Sequence, residues 1–197
     1  MNRDPGVLKP AVVFARWISW IGHPLVFITL SVGIIVALRL ANRAGLAFSF
    51  TMSATVILPM ALLLFRGIRS GRWSDPDVSI HAERVRFYPW AISISGLAII
   101  VLLLSGAPAF ALRGAAVTLF LLILAALINL RMKLSLHALF AFYSGVILFV
   151  VSPVAGTLAF TLALLVFWSR LYLNRHDFRE TLVGACLGLL GGVVAAW

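Results

Sequence analysis

Uncharged runs constrain this chain more than any other feature. Residues 17–38, 44–65, 90–112, 114–130, 138–168 and 181–197 contain no Asp, Glu, Lys or Arg, and the longest is interrupted at Ser152-Pro153. An α-helix rises 1.5 Å per residue, so about 20 apolar residues cover the ~30 Å hydrocarbon layer. Backbone groups in that layer must be satisfied within their own segment, which leaves helices as the solution for runs of this kind. Hydrophobic residues make up 62% of the chain and charged residues 11%, with a mean hydropathy of +1.08. These values exclude an ordinary soluble surface. The expected fold class is all-α, a polytopic transmembrane helix bundle of about six to seven spans, forming a single integral membrane domain over 1–197. The first run is expected to be an uncleaved span, because it is too long for a signal peptide and Arg39 and Arg43 stand where small cleavage-site residues belong. His23-Pro24 near its start reads as a proline-associated kink, with the histidine satisfied by a neighbouring helix.

The connections decide which polar residues can meet. A short turn at 41–45 joins the first two runs, Ser105-Gly106-Ala107-Pro108 with Arg113 joins the third and fourth, and Ser152-Pro153 splits the fifth. Each pair of spans returns the chain to the side it left. Three longer polar segments, 66–89, 131–137 and 168–180, are therefore expected on one face. In the last helix Gly184 and Gly188 permit close helix contact. The single Cys186 rules out a disulfide within the chain.

The 168–180 segment is the densest in chemistry. Read as a helix, it puts His176 and Glu180 four apart on one face, so the carboxylate accepts from one imidazole nitrogen and leaves the other free. Arg170 lies six residues upstream, in reach of an anion at the same mouth. In 131–137, Lys133, Ser135 and His137 alternate with leucines and present a cation, a hydroxyl and an imidazole. Taken alone they read as a basic interfacial anchor beside a core histidine, and it is the 168–180 segment that favours a site. In 66–89, Arg66, Arg69 and Arg72 read as a solvated basic flank.

The pattern Ser169-Arg170, five residues, His176, three residues, Glu180 resembles the third signature motif of the type 2 phosphatidic acid phosphatase superfamily, with Glu in place of the usual Asp. Leu134-Ser135-Leu136-His137 keeps the Ser and His of the second motif, Pro-Ser-Gly-His, and loses its Pro and Gly. Of the first motif only Pro89 stands, with His81 and Tyr88 at the Lys and Arg positions; Glu83-Arg84-Val85-Arg86 resembles the Glu-Arg pattern of a divergent branch. The resemblance covers about 77–190. It implies a lipid phosphatase acting on a phosphatidate-type or polyprenyl-type mono- or diphosphate, without metal or other cofactor, through a phosphohistidine. His176 would be the nucleophile oriented by Glu180, His137 the general acid, and Arg170, Lys133, Ser135 and Arg84 the holders of the phosphate oxygens. A phosphotransferase of the same superfamily and an inactive lipid-binding or scaffold relative are the alternatives.

The formal net charge is +10. No aromatic-interleaved basic stripe accompanies it, so the expected partners are the bilayer and a lipid phosphate, and not nucleic acid. By the hairpin count, thirteen Lys and Arg lie on the site face and three (Arg39, Arg43 and Arg113) on the other. The positive-inside rule then orients the site to the cytoplasm in a cell inner membrane, whereas members of the superfamily commonly face outward.

Overall fold

The computed structural model describes residues 9–40 and 43–197, apart from the Ala44 side chain. Residues 1–8, with Arg3, and Ala41-Asn42 of the first expected turn lie outside the described residues. Helices α1 (Pro10–Ile21) and α2 (Pro24–Arg39) meet at a 56° bend. Pro24 has no backbone N–H and disfavours helical backbone at His23, so the chain breaks there. The bend is the kink expected at His23-Pro24, while the expected start at residue 17 is corrected: the first helix begins at Pro10 and ends before the histidine. Helix α1 buries Ala15, Ile18 and Ser19 and exposes Phe14, Trp17 and Trp20. Phe14 meets Trp168 at 6.0 Å between ring centroids, and Trp168 stacks on Tyr172 at 5.0 Å. Aromatic rings collected at one end of the bundle suit the membrane–water boundary.

Helix α3 (Arg43–Met52), a π turn (Ser53–Ile57) and α4 (Leu58–Arg69) run on as one rod. The π turn directly precedes Pro59, whose ring and missing N–H disturb the preceding turn of any regular helix. Helices α5 (His81–Leu104) and α6 (Ala109–Asn129) form a hairpin through Gly106, at φ +66°. Helices α7 (Leu136–Val151) and α8 (Pro153–Tyr172) are joined at Ser152, whose side chain accepts from Ala155 N and caps α8. Helix α9 (Phe178–Ala196) closes the bundle.

Among the described residues, five helices are each long and apolar enough to cross a membrane, the α3–α4 rod counting as one, and the bent α1–α2 pair makes a sixth candidate. The chain is thus an all-α, multi-pass membrane protein. Helix α7 has only 16 residues, yet it is the centre of the bundle: every residue from His137 to Gly145 is buried, with α2, α8 and α9 against it. Gly184 and Gly188 face it across the α9 contact, where a Cβ would lie 2.6 Å from the Ser135 carbonyl oxygen and 2.2 Å from that of Leu139. The two backbones touch directly, as the small residues require.

At one end of the bundle Arg39 donates to the Val150 and Val151 carbonyls, at 3.4 and 3.2 Å, and Arg113 donates to Ala195 O at 3.1 Å. These cations complete the C-terminal ends of α7 and α9. At the other end the three long polar segments converge. Ser135 N donates to Glu180 O at 3.3 Å, Lys133 Nζ to Arg175 O at 2.6 Å, and Arg175 Nη1 to Asp75 Oδ2 at 3.2 Å.

Candidate functional site

The turn between α4 and α5 builds one wall. Trp73 is buried against Phe87 and donates its indole N–H to Leu63 O at 3.3 Å. Glu83, in the first turn of α5, accepts from Ser74 N at 3.0 Å, and Asp75 Oδ1 accepts from Ser79 N at 3.2 Å. The chain then passes through Val78 at φ +47°, a left-handed conformation that a β-branched residue strongly disfavours. Its carbonyl accepts from Arg84 Nε at 2.9 Å. Arg84 is 2% exposed, and its Nη1 donates to Leu134 O. The remaining nitrogen, Nη2, lies 3.5 Å from His176 Nε2.

The 168–180 segment differs from the helix expected of it. Helix α8 stops at Tyr172, Asn174 takes φ +51°, and Asp177 restarts the helix as N-cap of α9. Asp177 Oδ1 accepts from Glu180 N at 2.7 Å while Glu180 Oε2 accepts from Asp177 N at 3.3 Å, a reciprocal capping box. His176 therefore sits in a loop, one residue before the cap, and does not share a helix face with Glu180. The box folds the carboxylate back toward it all the same, and Glu180 Oε2 lies 2.8 Å from His176 Nδ1. Lys133 O lies 3.1 Å from the same nitrogen. Two acceptors fix the proton on Nδ1 and leave Nε2 with its lone pair turned toward Arg84. Burial, reinforced by the charges of Arg84, Arg170 and Lys133, pushes the imidazole down to about 2. It is neutral over the physiological range, the state a nucleophile needs.

Arg170, in the last turn of α8, is fully buried. Its Nη1 donates to Ser19 Oγ and to Asp77 Oδ2, both at 2.6 Å, while Nε and Nη2 are buried with no partner among the described residues. Buried guanidinium N–H groups without acceptors are costly, and this pair points to an anion that completes them. The other oxygen of Asp77 lies 3.5 Å from His137 Nε2, too far for a good hydrogen bond. His137 stands at the start of α7, 2% exposed, with the His23 ring edge-on at 5.4 Å. His23 accepts from Leu25 N on Nδ1 at 3.3 Å, so Nε2 carries the proton and donates to Pro76 O at 3.3 Å. The neighbour that satisfies it is the α4–α5 turn and not a helix.

The structure brings His176, Glu180, Arg84, Arg170 and His137 together. Ser135 is adjacent, but its hydroxyl oxygen is occupied as the N-cap of α7, accepting from Ala138 N at 3.4 Å. Lys133 is half-buried and burial lowers its pKa, while its ammonium is turned to the carbonyl of Arg175. Asp77, Ser19 and His23 belong to the same cluster and were not singled out as site residues from sequence. Asp77 meets Arg170 across 93 positions, a separation that no local pattern encodes. The capping box, in contrast, was readable as Asp177-x-x-Glu180.

A cavity of about 80 Å³ reaches from His23, Asp77, Arg84 and His137 to Met60, Phe87 and Phe140. Ile28, Val56, Ser95 and Thr118 line both this cavity and a larger, mostly apolar one of about 500 Å³ that extends to Arg39 and Arg113 at the opposite end of the bundle. Among the described residues no cluster of three or more His, Cys, Asp or Glu side chains is arranged to hold a metal ion.

Comparison of the chain with protein-family models, with curated proteins and with solved structures finds no match.

Proposed function

We propose that the protein is a membrane lipid phosphatase that hydrolyses a lipid mono- or diphosphate through a phosphohistidine on His176. The observation that carries this reading is the neutral His176, with its proton held on Nδ1 by Glu180 at 2.8 Å and its Nε2 beside the buried Arg84. His176 Nε2 attacks phosphorus as the bond to the leaving oxygen breaks, and His137, which takes up a proton only once the phosphate's negative charge is bound beside it, passes that proton to the leaving oxygen. His137, now neutral, takes a proton from water; the hydroxide formed attacks phosphorus, the P–N bond breaks, and phosphate leaves. Arg84 and the unfilled N–H groups of Arg170 hold the nonbridging oxygens, where phosphoryl transfer concentrates charge. The lipid character of the substrate is supported by the apolar cavities that continue from the site into the bundle. A phosphatidate-type or polyprenyl-type tail would lie there.

Purified protein is expected to release phosphate from at least one member of a panel of lipid mono- and diphosphates, undiminished by a chelator and blocked by vanadate. Loss of release on chelation would reveal a metal. A product in which an added alcohol carries the phosphoryl group would mean transfer, and no product from any substrate would leave a lipid-binding relative.

The site is proposed to face the cytoplasm at the inner membrane. Setting aside Arg84, Lys133 and Arg170 as phosphate ligands, ten cations remain on the site side against three on the other. With Cys186 replaced, a cysteine at the exposed Ser74 is expected to resist an impermeant reagent in intact cells until the membrane is opened. Ready labelling of intact cells would reverse the orientation.

A further inference from the structure

We infer that the Asp77 carboxylate is a resident counter-anion which the substrate's phosphoryl group displaces, and that this exchange makes the site selective for a terminal, dianionic phosphate. The inference rests on the phosphatase reading of the same site. Asp77 bridges the two groups a phosphate would need, with Oδ2 on Arg170 at 2.6 Å and Oδ1 facing His137 Nε2 at 3.5 Å. It serves them incompletely, because Arg170 Nε and Nη2 stay without a partner. A carboxylate brings one charge and two oxygens. A terminal phosphate brings up to two charges and three nonbridging oxygens, enough to replace the carboxylate on Nη1 and reach the vacant donors.

A phosphodiester brings one charge and two nonbridging oxygens, no more than the group it would evict. Asp77 is moreover tethered to the protein, so it competes at a high effective concentration against any ligand arriving from the membrane. An incoming diester therefore gains nothing by the exchange, whereas a terminal phosphate does. Asp77 is also placed to move. Its side chain is 20% exposed, it lies on the turn between α4 and α5, and the next residue, Val78, holds φ +47°. Strain stored beside the exchanging group favours its release once the ion pair is replaced. His23 donates to the adjacent Pro76 carbonyl at 3.3 Å and anchors the turn on the other side, so the movement is confined to the residues around Asp77.

The test is anion affinity in the purified full-length protein. Binding of inorganic phosphate, vanadate and a dialkyl phosphate is measured by thermal shift and tryptophan fluorescence in the wild type, Asp77→Asn and Asp77→Glu. Removing one like charge beside the bound phosphate should tighten inorganic phosphate by about tenfold in Asp77→Asn. Asp77→Asn should also narrow the preference for phosphate over the dialkyl phosphate, and Asp77→Glu should bind phosphate no tighter than wild type. Unchanged or weaker phosphate binding by Asp77→Asn overturns the exchange and leaves the phosphatase reading standing. No binding of any anion by wild type or variant overturns both. Should Asp77→Asn fail to fold, hydrogen exchange in the wild type decides: amides of 74–79 exchange faster with vanadate if Asp77 is expelled, and unchanged or slower exchange contradicts it.

Discussion

Replacing His176 by alanine lowers phosphate release by roughly 10⁴-fold or more, because the variant loses the atom that forms the covalent intermediate. The fold should survive the change. His176 lies in the loop between α8 and α9, and the cap that starts α9 is made by Asp177 and Glu180 without it. Glu180→Gln is expected to be less severe, on the order of 10²- to 10⁴-fold, since the amide oxygen still accepts from Nδ1–H but no longer offsets the positive charge that develops on the imidazole. Steady-state phosphate release by matched amounts of the two variants checks the order. His176→Ala with near wild-type turnover would remove the proposed nucleophile, and Glu180→Gln as inactive as His176→Ala with a lower melting temperature would mean that the carboxylate acts mainly as a helix cap.

The second large effect is on packing. Gly188→Ala is expected to destabilise the protein by about 1–3 kcal/mol, because its Cβ would meet the Leu139 carbonyl oxygen at 2.2 Å. A backbone atom cannot rotate away, so α9 must move off α7. That movement also separates Glu180, at the start of α9, from Ser135 and His137, at the start of α7, and activity should fall together with stability. Gly96→Ala supplies the contrast. Nothing lies within 4 Å of a Cβ there, and alanine in a helix interior is favoured over glycine by roughly 0.5–1 kcal/mol. Thermal unfolding of both variants in the same detergent measures the difference. A Gly188→Ala protein as stable as Gly96→Ala would contradict the direct backbone contact between α7 and α9.

Much of this architecture could be read from charge spacing alone. The uncharged runs locate the helices, and span counting brings 66–89, 131–137 and 168–180 to one end, where Asp75, Lys133 and Arg175 meet. The kink at His23-Pro24 was legible from the proline, and the structure makes it a 56° bend that divides the run of 17–38. The continuous helix expected over 168–180 is not found, because caps compete with helical spacing. Asn174 and the Asp177–Glu180 box outweigh the helical spacing of 168–180. The pairing of His176 with Glu180 stands although its reasoning changes, since the box that folds Glu180 back over Asp177 also brings its carboxylate to the residue just before the cap. Asp77 was not legible as a site residue, because nothing in Asp75-Pro76-Asp77-Val78 distinguishes a turn carboxylate from one aimed at an arginine in a distant helix.

The covalent intermediate offers the most direct test. Wild-type protein mixed with a lipid phosphate labelled on its terminal phosphoryl group is quenched within a single turnover, in base to preserve a phosphoramidate, and the labelled peptide is sequenced. The expected result is acid-labile label on His176, accumulating before product and absent from His176→Ala. Product formed at the full rate with no label on His176 would contradict the phosphohistidine route.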